Sequence, residues 1–285
     1  MKRILVATDF SERSYRAVRR AALLAQASGA SVLLLHVTDD DRDANLVAVE
    51  TAAAREMLET LKNRLLAGLP CEALVAPGDP FDGIVRVARK CEADLVVMGA
   101  HRKQLLRDIF IGTSVERVTR ARVAPVLMVN REPAGAYARA LACVDLSEHS
   151  AYAMRFARKT GIVPASGVAV VHAFDAMAKG KLGYAGVPAE EIARYVAQVE
   201  VEARSQVAAF LATHAAGEPA PFAIHLAEGR AMGVIALAAD MLRADVAVLA
   251  THGRTGLPRL MLGSVTEEAM RSLECDILAV PPPQD

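Results

Sequence analysis

One segment of this chain occurs twice, at a spacing of 151 residues. Its first copy, residues 98–118, reads MGAHRKQLLRDIFIGTSVERV, and its second copy, residues 249–269, reads LATHGRTGLPRLMLGSVTEEA. Each copy ends an apolar run, turns through a loop that contains a histidine, and reaches a Gly-Thr or Gly-Ser pair at the start of a predicted helix. Proteins hold phosphate groups at such helix starts, because the first-turn N–H groups point at the anion. The segment therefore predicts a repeated domain that binds a nucleotide.

The repeat extends through most of the chain. KRILVATDFSERS, residues 2–14, matches ARALACVDLSEHS, residues 138–150, at an offset of 136. Later segments match at an offset of 151, so the second copy carries extra residues, which we place in the stretch 174–190. Four glycines and prolines in that stretch predict a mobile loop outside the core.

The alternation of apolar patterns predicts an α/β fold. Short Val, Leu and Ala runs are typical of strands buried on both faces of a parallel sheet. Between them lie segments with helical apolar spacing, such as Tyr15, Val18 and Ala22, and a helix with Pro80 in its first turn. This rhythm is typical of βαβ units. We predict two tandem α/β domains, residues 1–132 and 137–285.

Composition excludes several classes of function. The 33 basic residues are balanced by 33 acidic ones and aromatic residues make up 4%, so we expect no nucleic-acid groove. No apolar stretch reaches membrane-spanning length. The four cysteines lie far apart without a C-x-x-C pair, so we expect a cytoplasmic protein with neither a disulfide framework nor a metal site.

The predicted site lies at the carboxyl ends of the strands. In an open α/β sheet the ligand crevice lies beyond these ends, where the strand order reverses. Asp9 and Asp145 end the first strand of each copy, and a carboxylate there can accept hydrogen bonds from a ribose hydroxyl or an adenine amino group. We therefore expect each aspartate to face a nucleoside.

The predicted helix starts have a second signature. Thr113 with Glu116, and Ser264 with Glu267, have the spacing of a capping box. A well-capped helix after a glycine turn is the plain structural interpretation of either segment alone. The recurrence of the same aspartate, histidine and nine-residue spacing in both copies favours an anion site instead.

On these residues the chain resembles the universal stress protein family, in its tandem form with two fused domains. Members carry G-x-x-G, nine residues and G-[S/T] late in the domain, and an Asp after the first strand. The resemblance covers both halves of the chain. It implies Rossmann-like, adenine nucleotide alpha hydrolase-like domains, each with five parallel strands and helices on both faces. It also implies ATP, AMP or ADP as the ligand, with magnesium as an optional companion ion.

The resemblance assigns ligand contacts in each half. The implied adenosine contacts are Asp9, Val37, Asp145 and Ala173. The implied phosphate contacts are Gly112, Thr113 and Ser114 in the first copy, and Gly253, Gly263, Ser264 and Val265 in the second. The loop positions that complete the predicted sites are Gly99, His101, Arg102, Ala250 and His252.

Each copy departs from the family pattern at one position. Ala250 replaces the first glycine of the second copy, which costs about 1 kcal/mol if that position needs a positive φ and almost nothing otherwise. Arg102 replaces the second glycine of the first copy. Its guanidinium has three interpretations: it blocks the phosphate space, binds the phosphates, or lies on the solvated surface. The second copy is therefore the preferred nucleotide site.

The sequence carries no signature of a dedicated catalyst. A P-loop, a G-x-S-x-G elbow and an HExxH motif are all missing, and neither His101 nor His252 has a carboxylate at a fixed spacing. We therefore assign no catalytic residue and expect at most slow ATP hydrolysis, in a nucleotide-dependent regulator. The alternatives are a nucleotide-independent scaffold with degenerate sites, a slow ATPase or nucleotide transferase, and a binder of lipid or sugar nucleotides covered by residues 174–190.

The resemblance also predicts how the halves assemble. The last strands of the two copies, residues 125–130 and 276–281, should pair edge to edge as in family dimers and hide their unpaired backbone groups. The chain would then be a pseudo-dimer. Its protein partners, and whether it forms a further homodimer, are left open by the sequence.

Overall fold

The computed structural model describes residues 1–100, 113–215, 222–253 and 262–283. Predicted positions His101, Arg102 and Gly112 lie outside these ranges. The first half alternates strands and helices: β1 (Arg3–Ala7), α1 (Glu12–Ser28), β2 (Ser31–Thr38), α2 (Ala44–Leu65), β3 (Cys71–Pro77), α3 (Pro80–Lys90), β4 (Leu95–Gly99), α4 (Ser114–Arg120) and β5 (Val126–Val129).

Among the described residues, the second half repeats this order with one additional helix. Its elements are β6 (Ala140–Cys143), α5 (Glu148–Lys159), β7 (Val168–Phe174), α6 (Lys179–Tyr184), α7 (Ala189–His214), β8 (Ala223–Glu228), α8 (Ala231–Met241), β9 (Val246–Ala250), α9 (Ser264–Ser272) and β10 (Asp276–Val280). Within the described residues, no helix is both long and apolar enough to cross a membrane.

Local sequence explains where the helices begin and end. The side chain of Ser11 caps α1 by accepting a hydrogen bond from the Ser14 N–H, and α1 ends at Gly29, which adopts a left-handed φ of 69°. Asp79 caps α3, and Pro80 occupies its first turn as predicted, where the missing N–H removes no hydrogen bond. The two helices that the apolar spacing predicts in the first half are therefore confirmed.

The ten strands of the described residues form one hydrogen-bonded sheet, in the order β3-β2-β1-β4-β5-β10-β9-β6-β7-β8. Within each half the paired strands are parallel, which confirms the predicted five-stranded parallel units. The halves join where β5 and β10 pair antiparallel, with Leu127 opposite Leu278. The predicted edge-to-edge pairing of the two last strands is therefore confirmed.

The core has two layers, one on each face of the sheet, and both layers run through the two halves. Helices α1, α2, α5 and α7 cover one face, where Ile4 and Leu278 are fully buried. Helices α3, α4, α8 and α9 cover the other, where Leu5 and Ile277 are fully buried. Adjacent residues of one strand thus bury opposite faces, as the period of two requires.

The extra segment 174–190 is not the loop that the sequence predicts. It contains the short helix α6 and leads into α7. The Ala178 N–H donates to the Tyr195 hydroxyl, and Lys179 forms an ion pair with Glu228 at 2.7 Å. Glycine content misled the prediction because these contacts with neighbouring elements stabilise a helix despite its low propensity. No residue of α6 is buried, but Phe174 and Ala176 earlier in the segment are, so the expected place outside the core holds only for the helix.

A buried carboxylate closes the junction between the halves. The Asp276 side chain at the start of β10 accepts hydrogen bonds from the backbone N–H of Asn130 at 2.8 Å and of Arg131 at 3.1 Å. Its second oxygen accepts from the Tyr137 hydroxyl and lies 3.5 Å from the Arg20 guanidinium, which stacks on the Tyr137 ring. Asp276 is 1% exposed, and burial raises its pKa above the ordinary value although these donors offset part of the desolvation.

We expect Asp276→Ala to lower the free energy of unfolding by about 3 kcal/mol, because it leaves a buried arginine, a hydroxyl and two N–H groups without their acceptor. Tyr137→Phe removes one donor and should cost about 1 kcal/mol. The exposed Asp41→Ala is the matched control and should change stability by less than about 0.5 kcal/mol. Urea unfolding measures all three, and equal effects of Asp276→Ala and Asp41→Ala would contradict the assignment.

Candidate functional site

A cavity lies at the carboxyl ends of the strands in each half. The cavity in the first half measures about 270 Å³ and that in the second half about 290 Å³. Ile84 and Met98 contribute apolar surface to the first cavity, and Ile235 and Leu249, at the equivalent repeat positions, to the second. An apolar wall beside a few polar groups is the usual composition of a small-molecule site.

The predicted residues converge on these cavities. All eight second-half positions line one cavity, namely Asp145, Ala173, Ala250, His252, Gly253, Gly263, Ser264 and Val265. The described first-half positions line the other, namely Asp9, Val37, Gly99, Thr113 and Ser114. In contrast, none of the residues that line the second cavity belongs to the segment 174–190, which argues against this segment as a cover for a larger ligand.

The two strand-end aspartates are held in the same way. The Asp9 carboxylate accepts hydrogen bonds from the N–H and hydroxyl of Ser11, and the Asp145 carboxylate accepts the same pair from Ser147. Burial raises the pKa of Asp9, but hydrogen bonds from Ser11 and Ser14 outweigh it, so the pKa lies below its ordinary value. Asp9 is therefore an ionised acceptor at neutral pH.

The backbone after each aspartate is left-handed. Phe10 has a φ of 59° and Leu146 a φ of 63°, although neither is a glycine. Such conformations cost about 1 kcal/mol or more and persist where the surrounding structure holds them. Their repetition at equivalent positions indicates that each turn is shaped to carry the aspartate at the cavity.

The helix starts differ between the halves. In the first half the capping box is confirmed: the Thr113 hydroxyl accepts from the Glu116 N–H at 3.3 Å, and the Glu116 carboxylate accepts from the Thr113 N–H at 3.1 Å. In the second half the predicted box is wrong, because α9 begins at Ser264 with Gly263 in the capping position and no side-chain cap. The start of α9 therefore lacks a side chain that competes with an anion for its first-turn N–H groups.

The first-glycine position of the motif needs space, not a positive φ. Ala250 does not have a positive φ, so it adds no backbone strain. A Cβ at Gly99, the equivalent position, would lie 2.5 Å from the carbonyl oxygen of Arg13 on α1. The first half therefore requires glycine because a strand end and a helix backbone touch there, and the second half tolerates alanine.

The second-glycine position of the motif brings the loop close to the aspartate. A Cβ at Gly253 would lie 2.7 Å from the Asp145 carboxylate, so a larger side chain there would displace that acceptor. Gly263 is also confined, since its Cβ would lie 3.1 Å from the Thr251 carbonyl oxygen. Both glycines thus allow the close backbone approach that a phosphate or ribose site requires.

His252 is buried beside the second cavity. Its Nδ1 lies 3.0 Å from the Thr251 hydroxyl, and its Nε2 is buried without a hydrogen-bond partner among the described residues. Burial lowers the pKa of His252, and the charges of Arg122 and His149 lower it further, so the ring is neutral at pH 7. Its contact with a hydroxyl does not orient it as a general base.

Sequence reasoning missed two further histidines at the cavities. His36 and His172 end β2 and β7, where packing or capping is the usual role, yet each lines a cavity. The Nδ1 of His36 lies 2.8 Å from the Thr8 carbonyl oxygen, and that of His172 lies 2.8 Å from the Val144 carbonyl oxygen. Each Nδ1 must donate to its carbonyl oxygen, so Nε2 of the neutral ring is an acceptor. The two histidines occupy equivalent positions in the repeat, next to the predicted contacts Val37 and Ala173. That repetition was the sequence signal that could have identified them as cavity residues.

Comparison with known proteins identifies the class to which this fold and site belong. The model of the universal stress protein family matches residues 1–130 and again residues 136–281. The chain therefore belongs to the universal stress protein family, as a tandem member with two copies in one chain.

Similar proteins include some that match the whole chain and some that match only one of its halves. Universal stress protein E of Escherichia coli K12 is 25% identical over 300 residues, which cover 99% of this chain and 94% of that protein. Universal stress protein MJ0577 of Methanocaldococcus jannaschii is 28% identical over 155 residues, covering 46% of this chain and 96% of that protein. A solved universal stress protein of Archaeoglobus fulgidus shares the fold, with a TM-score of 0.70, 18% identity and coverage of 99% and 98%.

We expect Gly99→Ala to lower the free energy of unfolding by about 2 kcal/mol, because its methyl group meets the backbone of α1. The matched reverse change, Ala250→Gly, should cost at most about 1 kcal/mol through added chain entropy. Urea unfolding of both variants compares these effects. Equal losses would contradict the close contact that the structure assigns to the first half.

Proposed function

We propose that this chain is a nucleotide-dependent regulator that binds an adenine nucleotide at the carboxyl ends of its strands. The convergence of all eight predicted second-half residues on one cavity carries this proposal. The cavity is close to the lower end of the roughly 300–1,000 Å³ usual for small-molecule sites. We take residues 1–132 and 137–285 as its two domains, acting in the cytoplasm.

The second half offers complementary chemistry to the two ends of a nucleotide. The Asp145 carboxylate and the acceptor Nε2 of His172 suit ribose hydroxyls or an adenine amino group. The uncapped start of α9 at Ser264 suits the phosphates, through its N–H groups and the positive end of the helix dipole. An apolar wall with Ile235 and Leu249 suits the base.

The first half is the weaker site in this proposal. The capping box between Thr113 and Glu116 already occupies N–H groups that a phosphate would use. This observation favours a role for the first half in docking a protein partner. Nucleotide would bind to the first half only after the capping box opens. The two halves would then differ in occupancy at the same nucleotide concentration.

The described chemistry favours binding over turnover. His252 contacts the Thr251 hydroxyl, and Asp145 is engaged by the N–H and hydroxyl of Ser147. Neither arrangement activates a water molecule. We propose that any ATP hydrolysis is slow and that magnesium accompanies the nucleotide as a counterion.

Calorimetric titration of magnesium-ATP into ligand-stripped protein tests the proposal. We expect binding that survives Asp9→Ala and weakens about 10- to 100-fold in Asp145→Ala, because a charged acceptor is lost. Gly253→Arg should weaken it comparably, since even a Cβ there approaches the Asp145 carboxylate to 2.7 Å. Parallel titrations with ADP and AMP measure the contribution of each phosphate.

Two results would contradict this assignment. The absence of both heat and thermal stabilisation at millimolar ATP would refute nucleotide binding and favour the scaffold role. Binding lost in Asp9→Ala but retained in Asp145→Ala would move the principal site to the first half.

A further inference from the structure

Four charged residues link the two helices that start at the cavities. The Arg271 guanidinium on α9 binds the Glu116 carboxylate on α4 through two contacts, at 2.7 and 3.2 Å. Arg120 on α4 binds Glu267 on α9 at 3.2 Å, and Arg271 also binds Glu267 at 2.6 Å. The two pairs that cross between the halves are related by the repeat. We call these four residues the ion-pair quartet.

The quartet is unequally buried. The Glu116 side chain is 1% exposed, whereas that of Arg271 is 43% exposed. A buried carboxylate depends on its donors, because it has lost its hydration. Burial raises the pKa of Glu116, but hydrogen bonds from Arg271 and from the Thr113 N–H outweigh it and hold the pKa below its ordinary value. Both donors therefore favour the ionised form of Glu116.

The quartet connects directly to both helix starts. Glu116 Oε2 accepts from the N–H of Thr113, which lines the first cavity. Glu267 lies in the first turn of α9, and the Gly263–Ser264 start of that helix lines the second cavity. A phosphate at the start of α9 would therefore lie within about one turn of the Glu267 charge. Because the two negative charges repel, the phosphate would bind more tightly when Arg271 neutralises Glu267.

We propose that Arg271 is a positioning residue that couples the two nucleotide sites negatively, an inference that rests on the proposed function. Glu116 and Glu267 share this one guanidinium, which contacts both carboxylates. A phosphate at the start of α4 accepts the hydrogen bond from the Thr113 N–H in place of Glu116. Glu116 then draws Arg271 away from Glu267, and the negative charge of Glu267 at α9 is less well compensated. By thermodynamic reciprocity, a phosphate at α9 retains Arg271 and makes Glu116 hold the Thr113 N–H more tightly.

The coupling has a readout at an atom that does not touch the second cavity. In Asp9→Ala protein, whose first site is disabled, saturating ATP should fill the second site. We expect this to slow hydrogen exchange of the Thr113 amide about fivefold, at the small end of typical couplings. Exchange measured by NMR with and without ATP gives this number, and calorimetry of the same sample confirms occupancy.

The decisive comparison removes the Arg271 charge together with the charge of its buried partner Glu116, so that no buried carboxylate is left unpaired. Glu116→Gln with Arg271→Gln, in the Asp9→Ala background, keeps an acceptor for the Thr113 N–H, and ATP should no longer slow its exchange. Arg55→Gln, an exposed change on α2, is the matched control and should preserve the fivefold effect.

The outcomes separate the inference from the proposed function. ATP binding with unchanged Thr113 exchange in the intact quartet would overturn the coupling alone. Equal slowing in the Glu116→Gln, Arg271→Gln protein would also overturn it, since the signal would then travel by another route. A lack of ATP binding by calorimetry would refute the proposed function, and the coupling with it.

Discussion

The antiparallel pairing of β5 with β10 is the constraint on which the rest of the structure depends. Each half alone would expose an apolar edge strand with unpaired N–H and C=O groups, which is prone to aggregation. Pairing covers the exposed edges of β5 and β10. It also makes the core layers continuous across the halves. Asp276 then holds the junction, because its buried carboxylate needs donors from the first half and from the chain between the copies.

The same pairing determines how the two cavities relate. Because the halves meet through their last strands, the helices that precede those strands, α4 and α9, lie close enough to exchange ion pairs. Each helix also begins at a cavity. A strand pairing that stabilises the fold therefore connects the two candidate ligand sites through Glu116 and Arg271.

The two copies differ at the first-glycine position of the motif and at the helix start beside each cavity. The first half retains the crowded Gly99 and a complete capping box at Thr113, and the second half has Ala250 and an uncapped helix start at Ser264. The physical result is one helix start satisfied by its own side chains and one that is open to an anion. Tandem fusion allows this asymmetry, because each copy mutates separately within one chain.

Sequence by itself determined the repeat, the parallel five-stranded units, the pairing of the last strands and the residues that converge on each cavity. The repeat follows from local periodicity and spacing, whereas the five-stranded units, the pairing of the last strands and several of the site residues follow from the family resemblance. Tertiary structure decided the cap at Gly263, the helix α6 within residues 174–190, the place of His172 at the cavity and the ion-pair quartet. These features depend on contacts between distant elements. Glu267, for example, binds Arg120 on α4 as well as Arg271 on its own helix instead of capping α9, and the contact with Arg120 has no local signature.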